Sequence, residues 1–384
     1  MQFGNKIKNL WLLDENVTFL NHGSFGACPK VVLEESFNIM RKLETEPISF
    51  FIEGYYEAIR SQAAALGKFV NADPDSLVFV ENATTGMNTV LHSLMPKLKR
   101  GDEIIITNHV YPAVRAALKF LKDQTGVVLK EINLPYPVYD ISEYTEIYKN
   151  AITPQTKLAL VDHVIYTTGV IAPVKEIAEV MHKNNMLVLV DGAHAPGMLD
   201  LNIEDLNVDW YTGNLHKWMF TPKGVALLWT APEHQSYTKP LTISFFYETG
   251  YYKEFDWQGT KNPTSILAVT KAIEFINTFG KENIINYIHD LAIQARDLVT
   301  DKLNIDCKIP NNYFASLVAL PYKYEGEIDY MTTNNIRGEF FRKYKIEMPF
   351  VAFDGRMFFR FSTQIYNDIH DYEKLAEALK DFGY

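Results

Sequence analysis

Four consecutive apolar residues, Leu187 to Val190, run straight into Asp191, and the chain then reads Gly-Ala-His-Ala-Pro-Gly to residue 197. A run with no polar alternation suits a strand buried on both faces, and such strands belong to parallel sheets whose connections are helices. Open α/β sheets bind ligands at the carboxyl ends of their strands, where Asp191 falls. A buried carboxylate needs a cationic partner, because an unpaired charge there is costly. Lys217 follows a second short apolar run around Trp210 and Tyr211 and closes the segment Gly213-Asn214-Leu215-His216-Lys217-Trp218.

A carboxylate and a lysine at neighbouring strand ends suit pyridoxal phosphate. The lysine forms a Schiff base with the aldehyde, and the Asp keeps the pyridine nitrogen protonated so that the ring accepts electrons. The same two residues also suit a structural carboxylate and a solvated lysine, and taken alone they favour that plainer reading. The rest of the chain decides between the two.

Composition excludes several classes. With 384 residues the chain is too long for one small core, so two domains are expected. A formal net charge of −10 and the lack of any Lys/Arg-rich block argue against nucleic acid as a partner. No apolar run approaches the roughly 20 residues that span a bilayer, so no membrane partner is expected. The amino terminus lacks the basic and apolar regions of a secretory signal, and Cys28 and Cys307 are the only cysteines. Together these point to a reduced, cytoplasmic setting. No His/Cys spacing suits a metal, and no glycine-rich nucleotide fingerprint occurs.

In chain order, residues 1–30 form an irregular segment. Its loop Phe19-Leu20-Asn21-His22-Gly23-Ser24-Phe25-Gly26 either lines a pocket or packs on the surface. Residues 30–70 read as helices broken at Pro47, and the aromatic group Phe50, Phe51, Tyr55 and Tyr56 as core or interface. The strand Leu77 to Val80 leads through Glu81-Asn82-Ala83-Thr84-Thr85-Gly86 into a helix. That junction is an anion site if a phosphate is present and a plain helix cap otherwise. Tyr111 follows the strand Glu103 to Thr107 and is placed to cover a flat ring, or to be a core tyrosine. The strand Lys157 to Val161 opens into Asp162-His163-Val164-Ile165-Tyr166-Thr167-Thr168-Gly169, and a helix from Val174 to Asn184 returns to the Asp191 strand. After Lys217 come the strand Val225 to Trp229, a polar and aromatic stretch over 231–263, and helices over 264–303. Strands at Ser316 to Leu320 and Met357 to Phe361 and helices at Asn334 to Tyr344 and Asp371 to Lys380 close the chain. The alternation predicts an α/β fold with a mainly parallel sheet. The division expected is 1–30 as a pocket-lining segment, 31–262 as a large cofactor domain and 263–384 as a small α+β domain.

Taken together, Leu20-Asn21-His22-Gly23-Ser24-Phe25-Gly26, Asn82-Ala83-Thr84-Thr85, Val190-Asp191-Gly192-Ala193-His194-Ala195-Pro196-Gly197, Gly213-Asn214-Leu215-His216-Lys217-Trp218, Trp257-Gln258-Gly259-Thr260 and Ile365-Tyr366-Asn367 resemble one family. The chain is similar to class V aminotransferases of pyridoxal phosphate fold type I, in the branch of isopenicillin N epimerases and hercynylcysteine sulfoxide lyases. The resemblance implies a seven-stranded, mainly parallel large-domain sheet. It also implies that Lys217 carries the cofactor, Asp191 pairs with the ring nitrogen, and Tyr111 stacks on the ring with His194 beside it. Ala83, Thr84 and His216 would bind the phosphate, joined by Thr260 of a second subunit, so that a homodimer shares its sites. Arg360 would grip the carboxylate of an amino-acid substrate as a two-pronged fork, with Arg115 and Arg356 as rivals. Asn21 and Tyr166 would line the substrate side.

Two departures bear on the reaction. Many relatives carry small polar residues where this chain has Ile165-Tyr166. Residues 334–370 also contain no cysteine, which disfavours a desulfurase that takes sulfur up as a persulfide. The expected activity is proton abstraction at Cα by Lys217. It is followed by β-elimination at a C–S bond, or by epimerisation with Tyr111 or His22 as the opposing acid; transamination is the alternative. A catalytically silent binding protein on this fold is the reading from a different class, and the joint presence of Lys217 and Asp191 argues against it.

Overall fold

The computed structural model describes residues 3–383. Seven strands form the central sheet: Leu77–Val80 (β1), Glu103–Thr107 (β2), Val128–Ile132 (β3), Thr156–Asp162 (β4), Leu187–Asp191 (β5), Trp210–Asn214 (β6) and Ala226–Thr230 (β7). Their spatial order is β1-β7-β6-β5-β4-β2-β3. The neighbours from β6 to β3 pair in parallel, and β7 runs antiparallel to both β6 and β1. The expected seven-stranded, mainly parallel sheet is therefore present.

Side chains alternate between two cores. Val78, Val80, Ile104, Ile106, Leu160 and Leu189 face the helices Ala83–Leu94 and Pro112–Thr125, which bring Val90, Leu94, Leu118 and Leu121. Phe79, Ile105, Val161, Val188 and Val190 face the other way, with Ile177 and Met181 of the helix Val174–Lys183. Burial on both faces explains why β5 shows no polar alternation in sequence.

A second sheet lies toward the carboxyl terminus: Leu317–Tyr322 (β8), Phe350–Phe353 (β9) and Arg356–Ser362 (β10), with β10 in the middle and all pairs antiparallel. The helices Lys281–Leu303, Tyr330–Tyr344 and Ile369–Phe382 belong to this part of the chain. Strand β9 was not foreseen, although Asp354-Gly355 joins β9 to β10 as a two-residue turn with both residues at positive φ. Asp-Gly is the preferred pair for such a hairpin. The helical stretch after residue 263 breaks into Thr264–Leu267, Val269–Phe279 and Lys281–Leu303, with Gly280 between the last two.

Residues 3–30 are stitched to the carboxyl-terminal part. Thr18–Phe19 pairs in parallel with Ile346–Glu347, and Ser362 N–H donates to the Leu20 carbonyl at 2.8 Å. Trp11 packs edge-on against Phe220, Phe275 and Tyr366. These ties bring Asn21–Gly26, which folds as one helical turn over His22–Phe25 and not as the expected loop, over the carboxyl ends of the central strands.

Candidate active site

The carboxyl ends of β1, β4, β5 and β6 open into a cleft of about 720 Å³ whose far wall is Arg360 of β10, the helix beginning at Tyr330 and the residues 349–352. Asp191 ends β5 and is almost fully buried, with the Ala193 N–H donating to its Oδ1 at 3.0 Å. Gly192 makes the turn that follows: a Cβ there would lie 2.2 Å from the Tyr211 ring.

Lys217 follows β6 on the short helix Leu215–Trp218. Its backbone is held on two sides. His22 contacts the Lys217 carbonyl through Nε2 at 2.9 Å, and Gly26, at φ +69°, approaches so closely that a Cβ would lie 2.1 Å from the His216 carbonyl oxygen. The amine points into the cleft, with His194 Nε2 at 3.1 Å. The Trp218 indole N–H donates to His194 Nδ1 at 3.3 Å. An indole only donates, so the His194 proton resides on Nε2 and is donated to Lys217, which must accept it as a neutral amine. Charge and burial agree. Burial, helped by the Arg360 guanidinium and opposed by Asp191, brings Lys217 down to about 7, and burial with the Lys217 charge holds His194 well below the ordinary imidazole range.

The helix Ala83–Leu94 begins at the cleft. Asn82 caps it by accepting from Thr85 N–H at 2.9 Å, and Asn214 of β6 accepts from Ala83 N–H at 2.9 Å. Thr84 lies between them on the cleft wall, and its N–H and hydroxyl have no partner among the described residues. His216 donates from Nδ1 to the Val225 carbonyl at 3.1 Å, which leaves Nε2 free at the cleft. Tyr111 caps the helix Pro112–Thr125 and stands edge-on to Tyr166, ring centres 5.2 Å apart. An unprotonated amine, a buried carboxylate, a helix amino terminus and an aromatic wall form a donor set that fits pyridoxal phosphate.

Arg360 is buried. It donates to the Tyr166 carbonyl and, at 3.4 Å, to Ser24 Oγ. Ser24 donates in turn to Asn21 Oδ1, and the Asn21 amide donates to Glu347 at 3.1 Å, where Arg337 completes an ion pair. Burial lowers Arg360 to about 10. The rivals point elsewhere, Arg115 to Glu131 and the Thr107 carbonyl, and Arg356 to the Tyr136 carbonyl.

Two expectations need correction. His22 does not line the cleft. Its Nε2–H is spent on the Lys217 carbonyl and its Nδ1 faces the Tyr366 hydroxyl at 2.7 Å, while burial lowers it to about 3, so it offers no proton to a substrate. Asn21 also lies behind the cleft wall, its amide engaged with Glu347, and it reaches the site only through Ser24. Thr260 is exposed and is not brought to the cleft of its own chain. Its neighbour Lys261 pairs with Glu81 at the cleft wall, 3.0 Å away. Asp162 was missed as a site residue. It closes β4 as Asp191 closes β5, after an equally apolar run, and that parallel was the available signal.

The profile of the class V aminotransferases matches residues 29–338. Isopenicillin N epimerase of Amycolatopsis lactamdurans is 27% identical over 97% of this chain and 96% of its own. A probable chloroplastic L-cysteine desulfhydrase of Arabidopsis thaliana is also 27% identical, over 95% of this chain and 83% of its own. The solved structure of C-DES, a cystine C–S lyase, in complex with cysteine persulfide superposes with a TM-score of 0.85 at 22% identity, covering 96% of this chain and 99% of that one. With Lys217 and Asp191 facing one cleft, the chain belongs to the class V aminotransferase family and is a pyridoxal phosphate-dependent enzyme of amino-acid chemistry.

Proposed function

We propose that the enzyme is a carbon–sulfur lyase that eliminates the sulfur group of an L-cysteine derivative carrying a neutral, bulky substituent on sulfur. The observation that carries this reading is the one-sided proton chemistry of the cleft. Lys217 is an amine already near neutrality, and of the two opposing acids that inversion at Cα would use, His22 is turned away and unprotonated, while Tyr111 in this reading serves to cover the ring. Neither Cys28 nor Cys307 lines the cleft, and burial raises both thiols, so sulfur leaves as a product and is not handed to the protein.

The bound cofactor supplies an electron sink for the carbanion at Cα. The chain does the rest. Thr84 and His216 would hold the phosphate, with Thr260 of a second subunit; Ala83 lies beside it with its N–H taken by Asn214, and Tyr111 would cover the ring. Asp191 fixes the charge of the ring nitrogen. Arg360 grips the substrate carboxylate with two parallel donors, Tyr166 fixing the guanidinium through its carbonyl. Lys217 Nζ takes the Cα proton, which is then at hand for the departing sulfur. His194 orients the amine. The substituent would meet Phe25, Tyr330, Thr333, Asn334, Phe350 and Val351, none of them charged. A charged side chain would find no counter-ion there, and a bare thiol would leave that space unfilled.

The homodimer belongs to the same reading, because Thr260 does not complete the site of its own chain. So does a reducing compartment, since both cysteines are free. Among the described residues no helix is long and apolar enough to cross a membrane. The test is to offer the holoenzyme L-cysteine, S-benzyl-L-cysteine, L-cystine and L-alanine, and to follow pyruvate, ammonia, thiol and Cα configuration. Equal pyruvate and ammonia, fastest from the S-benzyl substrate, are expected. Inversion without pyruvate would make the enzyme an epimerase, and keto acid without ammonia an aminotransferase.

A further inference from the structure

Asp162 and Asp191 are register partners at the ends of adjacent parallel strands, so their side chains leave the sheet on the same side at the same level. They are 6% and 5% exposed, and both line the cleft. Groups from several elements surround Asp162. From β2 comes the Thr107 hydroxyl, 3.4 Å from Oδ2. From the helix Pro112–Thr125 comes Arg115, half-exposed and already paired with Glu131. From the helix Ser142–Asn150 comes Tyr148, whose hydroxyl donates to the Leu160 carbonyl. From the loop after β4 comes Tyr166, with Arg360 on its carbonyl. From β5 comes Asp191 itself, with Lys217 beyond it. Among the described residues no cation pairs with Asp162 within 4.0 Å.

Two carboxylates so placed in a buried site do not both ionise. The one that meets a protonated ring nitrogen is held anionic by it, so the proton falls to the other. We propose that Asp162 is a positioning residue that keeps a proton throughout the working range, so that Asp191 alone presents a single negative charge to the ring. Burial and the Asp191 charge act in the same direction on it, pushing Asp162 well above the usual carboxylate range. The titration belongs to the pair, and the ring nitrogen decides how it divides. When Asp162 does ionise at high pH, its proton goes to solvent. A second negative charge then faces the ring, and the absorption of the bound cofactor shifts.

The test uses the holoenzyme carrying ¹³C at the Asp side-chain carboxyl, at about pH 8, where an unperturbed Asp is fully ionised. Asp256, another buried Asp, is raised only to about 6 and is silent there. A protonated-carboxyl resonance is expected in the wild type. It should vanish in Asp162→Asn while the cofactor stays bound one per chain, and the alkaline shift of the cofactor band should vanish with it. Asp162→Ser replaces the amide should that variant fail to fold. The absence of any protonated carboxyl in the wild type would overturn the proposal. So would a resonance and alkaline shift that survive removal of Asp162. A merely structural Asp162 would move neither signal.

Discussion

The two walls of the cleft are built differently. On the central-sheet side, Asp162, Asp191 and Asn214 stand at the ends of hydrogen-bonded strands, and Lys217 follows within one turn of helix. Each position is set by a sheet register that slips only if whole buried faces change sides. On the opposite wall, Arg360 is held by residues from far apart in the chain: Tyr166, Ser24, then Asn21, Glu347 and Arg337. Its position depends on how the amino-terminal segment and the second sheet come together. In the proposed function the sheet wall carries the chemistry, and the assembled wall selects the molecule presented to it.

Substitutions should separate the two walls, the largest losses coming from the sheet side. Lys217→Ala removes the proton carrier and the covalent anchor, and kcat should fall by about 10⁴-fold or more, with borohydride no longer marking the chain at this position. Asp191→Asn keeps the shape and loses the charge. Turnover should drop by roughly 10²–10³-fold with an unchanged melting temperature, and near-normal turnover would break the distinction. Arg360→Lys keeps a charge and loses the fork. KM should rise by roughly 10- to 150-fold, the equivalent of about 1.5–3 kcal/mol, while the cofactor spectrum stays normal. An unchanged KM there, with a raised KM in Arg115→Lys, would place the substrate anchor on the sheet side. Ser24→Ala removes one neutral support of Arg360, and KM should rise only about 2- to 10-fold.

The walls also communicate through charge. The Arg360 guanidinium helps to hold Lys217 near 7. The protein freed of cofactor should therefore carry a neutral amine at Lys217 above about pH 7, whereas the unfolded chain holds that proton to about 10.4. The unfolded state binds more protons between those values, so stability rises with pH across that window and the burden is full below it. Lys217→Met should flatten this slope, and Arg360→Gln should shrink it by moving Lys217 upward. Thermal melting of the cofactor-free proteins from about pH 6 to 10 reads both.

The sequence is most informative where function sits on one strand end. Leu187 to Asp191 declares a buried strand and its carboxylate in five residues, because burial on both faces leaves a local trace. Gly213 to Lys217 does the same for the lysine. The hairpin at Asp354-Gly355 was equally legible, and its short strand β9 was overlooked because four residues carry little periodicity.

What a pattern in sequence does not carry is direction. His22 and His194 look alike as residues beside glycine or alanine in family motifs, yet one faces the Lys217 amine and the other its carbonyl. Asn21 reads as a pocket residue, but its amide is taken by a glutamate more than three hundred residues away. Asp162 reads as a strand end, and only the pairing of β4 with β5 sets it beside Asp191. By itself the sequence determined the mainly parallel sheet, through its apolar runs, and the cofactor, through the family motifs at the ends of those runs. The tertiary structure decided which histidine faces the Lys217 amine, which arginine faces the cleft and that two carboxylates share one corner, because hydrogen-bond partners and buried like charges are set by segments that meet only when the chain folds.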